Sequence, residues 1–155
     1  MVYMLLGTGF EETEAVAPLD LLRRAGVTVQ TVGLNGKIIY GSHGIGIEAD
    51  IELNELDLTN LEMIILPGGL GGVASIRACQ EAMNALKFAA DNEKFIGAIC
   101  AGPTVLADLG ITDGSKDPLK VEKQLRQCIP PEEASDFCHR MVLHGRALCM
   151  ARSPQ

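Results

Sequence analysis

Cys100 closes the stretch Phe95-Ile96-Gly97-Ala98-Ile99-Cys100-Ala101-Gly102-Pro103-Thr104, an apolar run that ends on a thiol among small residues. The run has the make-up of a buried strand and Pro103 to Leu109 the apolar spacing of a helix, so Cys100 falls on the tight turn between them. A sharp strand-to-helix turn of this kind, a nucleophile elbow, needs small residues two positions either side of the nucleophile. Ala98 and Gly102 meet that demand. A helix start directly behind the sulfur favours the thiolate, the reactive form, by placing partial positive charge beside it. The competing reading is a small hydrophobe buried at a strand end.

A cysteine nucleophile needs one group to set its protonation and another to receive the negative charge that develops on a substrate. Glu14 is the candidate for the first, on the opening turn of a helix whose start should lie near the elbow. Burial in an apolar pocket favours the neutral carboxyl, which could donate a hydrogen bond to a thiolate or pass a proton to a substrate. Glu11 and Glu12 read as acidic residues that favour a helix N-terminus electrostatically. For the second need, Gly68, Gly69 and Ala101 offer backbone N–H groups that could form an oxyanion cradle, and Pro67-Gly68-Gly69 also reads simply as a turn. Gly7-Thr8-Gly9 lacks the third glycine of a dinucleotide fingerprint, and no cofactor is expected. His43, in the glycine-flanked Gly41-Ser42-His43-Gly44, either reaches the pocket or occupies a surface turn. Cys79, inside a helical segment, reads as a packing residue.

These residues need a frame, and the chain alternates strand and helix patterns to supply one. Val2 to Leu6 reads as a first buried strand, Glu12 to Ala25 as a helix stopped by Gly26, and Val27 to Val32 as a second strand. A hairpin-like piece runs from Lys37 to Asp50, and Glu62 to Leu66 forms a third core strand leading into Pro67-Gly68-Gly69. One helical region is predicted from Gly71-Gly72 to near Asn92, before the elbow strand. The pattern is that of an α/β protein whose mostly parallel sheet carries helices on both faces. Ligands bind such sheets at the carboxyl ends of strands, where Gly7-Thr8-Gly9, Pro67-Gly68-Gly69 and Ala98 to Gly102 all fall.

Composition bounds the function. With 155 residues, 47% hydrophobic and 21% charged, the chain is expected to be soluble and globular, with no uninterrupted apolar stretch of membrane-spanning length. The apolar start lacks a basic leader and a cleavage site, which points to the cytoplasm. Five cysteines without framework spacing agree with a reducing compartment, and no paired His/Cys cluster suggests a metal site. A net charge of −7 without a basic stripe argues against nucleic acid as the main partner.

Taken together, Gly9-Phe10-Glu11-Glu12-Thr13-Glu14-Ala15, Asp20-Leu21-Leu22-Arg23-Arg24-Ala25-Gly26, Gly41-Ser42-His43-Gly44-Ile45, Leu66-Pro67-Gly68-Gly69 and Ala98-Ile99-Cys100-Ala101-Gly102-Pro103 resemble the ThiJ/PfpI superfamily, in particular its parkinsonism-associated deglycase branch. The resemblance covers residues 1 to about 114. It implies a flavodoxin-like three-layer sandwich, usually a homodimer, with Cys100 as the reactive, oxidation-sensitive cysteine. It further implies that Glu14 is its protonated partner and that Gly68, Gly69 and Ala101 form the backbone cradle. The activities implied are conversion of methylglyoxal to lactate without a cofactor (glyoxalase III type), deglycation of early glycation adducts, and redox-dependent chaperone behaviour.

The pattern departs from that resemblance after Gly114. Residues 1–114 hold 16 of the 17 glycines with 6 basic and 15 acidic residues, whereas residues 115–155 hold one glycine, 7 basic and 5 acidic residues and three of the five cysteines. The terminal amphipathic helix and the Ser-Arg-Gly-Pro-Gly-Thr type of turn that the resemblance implies are missing. The expectation is a domain over 1–114 followed by a divergent tail over 115–155, either an out-of-frame or disordered stretch that impairs activity or a genuine variation of the C-terminus.

Overall fold

The computed structural model describes residues 1–112. The expected tail over 115–155 lies outside the described residues.

Five parallel strands form one sheet, and its spatial order differs from its chain order. Strand β1 (Val2–Leu6) sits at the centre, with β2 (Val29–Gly33) on one side and β6 (Met63–Leu66) on the other. Beyond β2 lies the short β5 (Ile51–Glu52), and beyond β6 lies β7 (Phe95–Ala98). A separate antiparallel pair, β3 (Ile38–Tyr40) with β4 (Gly46–Glu48), makes the expected hairpin.

Side-chain alternation in β1 divides the core into two faces, because successive residues of a strand point to opposite sides. Tyr3 and Leu5, with Val32, Ile64 and Leu66, pack under α2 (Leu70–Ala78), α3 (Gln80–Asp91) and α4 (Pro103–Asp108). Val2, Met4 and Leu6, with Ile65, pack with Phe10 and Ile39 under α1 (Glu12–Arg24). All five β1 residues are buried, so that strand reads as a continuous apolar run, as a strand covered on both faces must. The arrangement is a three-layer α/β sandwich, in agreement with the sequence reading.

Most element ends fall within a residue of expectation, and two differences are larger. The second strand begins at Val29 rather than Val27. The single helical region predicted to end near Asn92 is two helices, because Cys79 leaves helical geometry at φ −99° and ψ 105°. Cys79 therefore stands at a helix break, not inside a helix. The break lets α2 and α3 bury different residues, Val73 and Ile76 from one and Ala82, Ala85, Leu86 and Ala89 from the other, in the same cluster. Continuous apolar periodicity across the break hid it from the sequence.

Candidate active site

Strands β1, β6 and β7 deliver three turns to the same edge of the sheet. Beyond β7 the chain turns sharply: Ile99 donates its N–H to Leu66 O at 3.0 Å, and Gly102 donates to Ile99 O at 2.8 Å. Between them Cys100 adopts φ +54°, in the left-handed region that a non-glycine residue enters only at a cost. Gly102 is needed there for space, since a Cβ on it would lie 3.0 Å from both Ile99 O and Leu66 O. The exposed Cys100 is thus held at a strained strand-to-helix turn, as the elbow reading requires.

Helix α1 brings Glu14 to the same place. Its carboxylate Oε2 accepts the Gly68 N–H at 2.9 Å. A Cβ on Gly68 would run into that carboxylate and lie 2.9 Å from the Cys100 Cβ. Glu14, Gly68 and Cys100, the last two far apart in the chain, therefore crowd one point, and only glycine leaves room for the other two. Gly69 adopts φ +86°, and a Cβ there would meet Gly9 O at 2.5 Å and Glu11 N at 2.6 Å. Gly69 is required by the backbone around it, and Gly68 by the Glu14 side chain and the Cys100 Cβ. The Gly68 N–H is directed at Glu14, so of the three amides expected to form a cradle, those of Gly68, Gly69 and Ala101, the first is taken up by the acid.

The three glutamates of Glu11-Glu12-Thr13-Glu14 have separate places. Glu11 is the N-cap of α1, and its Oε2 accepts the Glu14 N–H at 2.7 Å. Glu12, expected to favour the helix start electrostatically, is buried, with 8% of its side chain exposed. Its Oε1 accepts the His43 N–H at 2.7 Å, and its Oε2 lies 2.9 Å from His43 Nδ1 and accepts the Ser42 hydroxyl at 3.2 Å. The hydrogen bonds from His43 hold the Glu12 carboxyl down to about 2, and Glu12 in turn holds the exposed His43 imidazole above its usual range. The structure thus seats His43 on Glu12, whereas Glu14, roughly 200° further round the helix, faces Gly68. The signal the sequence reading missed is Gly41: a Cβ there would collide with the Glu12 side chain, so the glycine marks where the hairpin loop closes on α1.

Glu11, Glu12 and His43 place one donor atom each within 4.8 Å of one another, the grouping among the described residues that could hold a metal ion. The Glu11 and Glu12 carboxylates already accept N–H donors of the protein. No helix of the described residues is long and apolar enough to cross a membrane.

A sheet covered by helices on both faces, with a thiol strained at a strand-to-helix turn, defines an α/β domain of the nucleophile-elbow type. The chain belongs to the DJ-1/PfpI family, which residues 1–118 match. It is similar to DJ-1 homolog B of Arabidopsis thaliana, at 32% identity over 151 residues, 96% of this chain and 33% of that protein. It is also similar to a protein named a deglycase from Thermococcus kodakarensis, at 29% identity over 74% of this chain and 69% of that one. Among solved structures it resembles oxidised DJ-1 of Toxoplasma gondii, with a TM-score of 0.69 and 32% identity, covering 73% of this chain and 62% of that one. The chain therefore spans a third of the Arabidopsis protein's length and less than two-thirds of the Toxoplasma chain.

Proposed function

We propose that the protein is a cofactor-free, cysteine-dependent enzyme acting on α-oxoaldehydes or on the early glycation adducts they form. The observation that carries this reading is the convergence of Glu14, the Gly68 amide and the strained Cys100 on one point. The Cys100 thiolate adds to the aldehyde carbon of a substrate such as methylglyoxal, forming a hemithioacetal. The Gly69 and Ala101 amides hold the resulting oxygen, and Gly68 holds Glu14. Glu14 takes the proton from the former aldehyde carbon and returns it to the neighbouring carbon, while the hydroxyl proton passes from the first oxygen to the second, which turns the hemithioacetal into a thioester of lactate. Water releases lactate and restores the thiol, so the aldehyde carbon is oxidised and the ketone carbon reduced within one molecule. The Thermococcus relative's name supports the deglycase side of this reading.

The test is a panel of methylglyoxal, glyoxal and glycated amino acids given to purified protein, with lactate, glycolate and released amine measured. Turnover of any supports the reading, and turnover of none overturns it. A second reading, a redox-sensing or chaperone-like protein without turnover, is favoured by the exposure of Cys100 and by the oxidised state described for the Toxoplasma relative. It predicts peroxide-dependent oxidation of Cys100 in a protein inactive toward the whole panel.

The partner surface proposed is a second copy of the chain. Val16 and Leu21 of α1 and Ile38, Tyr40 and Ile45 of the hairpin are five of the eight exposed large apolar side chains among the described residues, the others being Leu70, Phe88 and Phe95, and a second copy seated on α1 and the hairpin would bury them. The net charge of −7 disfavours nucleic acid as the main partner.

A further inference from the structure

Glu11 closes a ring of hydrogen bonds around the site that an ordinary helix cap does not make. Its side-chain Oε2 accepts the Glu14 N–H at 2.7 Å, and its own N–H donates to Gly68 O at 3.1 Å. The Gly68 N–H returns to Glu14 Oε2 at 2.9 Å. Both polar groups of Gly68 are therefore held by the first turn of α1, one by the Glu11 backbone and one by the Glu14 side chain. The Gly68–Gly69 peptide is trans, since no cis bond is present among the described residues. In a trans peptide the C=O and the following N–H point in opposite directions. Holding Gly68 O on Glu11 thus turns the Gly69 N–H away from α1, and the orientation of that cradle amide depends on the same turn that carries the acid.

The residue type is informative as well. Serine, threonine, asparagine and aspartate are the preferred N-caps, and glutamate is not among them. A longer side chain that reaches Glu14 N from this position fixes the acid's backbone without stability alone explaining the choice.

We infer that Glu11 is a positioning residue, whose carboxylate fixes Glu14, and through Glu14 the Gly68 amide, in the geometry the reaction needs. The kinetic part of this inference rests on the proposed function, and the structural part does not. The test compares Glu11→Ala and Glu11→Gln with the wild type by amide hydrogen exchange and by steady-state kinetics. Gln keeps the length and a carbonyl acceptor for the Glu14 N–H. In Glu11→Ala the Glu14 and Gly68 amides should exchange about tenfold faster, while core amides such as Val32 and Ile65 keep their rates. In Glu11→Gln both should return to within about threefold of wild type.

A structural helix cap alone would speed Glu14 and leave Gly68 unchanged, and that result overturns the inference. So does a uniform rise across the core, which would mean global destabilisation. So does failure of Gln to restore the rates, which would mean that charge rather than the hydrogen bond is what matters. With methylglyoxal as substrate, Glu11→Ala should lose about tenfold in kcat with KM within about twofold, and Gln should recover it. A fall confined to KM contradicts positioning. A wild-type protein without turnover would sink the proposed function while the exchange result still decides the role of Glu11.

Discussion

At the scale of single residues, Gly68 and Gly69 separate the packing of the two reacting side chains from what holds the fold. Gly69→Ala forces a side chain into φ +86° and onto the backbone of Gly9 and Glu11, and neither can move aside. It should destabilise the protein by about 2 kcal/mol or more, read as a lowered urea midpoint. Gly68→Ala meets a side chain that can turn away, that of Glu14, together with the Cys100 Cβ. It should remain folded and lose activity by at least about 100-fold, because the acid and the thiol are pushed apart. Equal stability losses in the two variants would contradict this division. The sequence alone placed Cys100, Glu14, Gly68 and Gly69 as candidates, because small residues around a thiol at a strand end leave few alternatives. It read Glu11 and Glu12 alike, as acids that favour the helix start, since adjacent acids there look the same until the partners across the fold, Gly68 and His43, are known.

At the scale of elements, the hairpin is fastened to α1 through Glu12 and His43, and the fastening depends on pH. The Glu12 carboxyl is held down to about 2 from 4.5, so its contribution to stability is present above pH 4.5 and is lost as the pH falls through about 2. His43 is raised above 6.5, so its contribution is full below pH 6.5 and is lost as the pH rises through its raised value. The clasp therefore contributes most between about pH 4.5 and 6.5. The difference in urea midpoint between the wild type and His43→Gln should be largest in that window and shrink on both sides. An NMR titration should find the His43 midpoint above 6.5, returning to it in Glu12→Gln, and an unchanged midpoint would contradict the clasp. Strands β1, β2, β6 and β7 and helix α1 were legible because apolar runs bounded by glycine are a local signal, whereas β5, two residues long, offers no run to read. The break at Cys79 was not, because no glycine or proline marks it in the sequence.

At the scale of the whole molecule, the exposed apolar residues of α1 and the hairpin predict a dimer. Sedimentation equilibrium should give twice the mass of one chain, and Leu21→Glu should shift it toward monomer, whereas a wild-type monomer at micromolar concentration would contradict the interface. The proposed reaction is covalent chemistry at Cys100, with Glu14 as the proton carrier. Lactate formation from methylglyoxal tests it most directly, measured for the full chain, Cys100→Ser and Glu14→Gln, each first shown to be folded. Covalent catalysis at Cys100 predicts turnover by the wild type, none by Cys100→Ser, and a loss of about 10²- to 10⁴-fold in Glu14→Gln. Lactate formed by folded Cys100→Ser at the wild-type rate would contradict it.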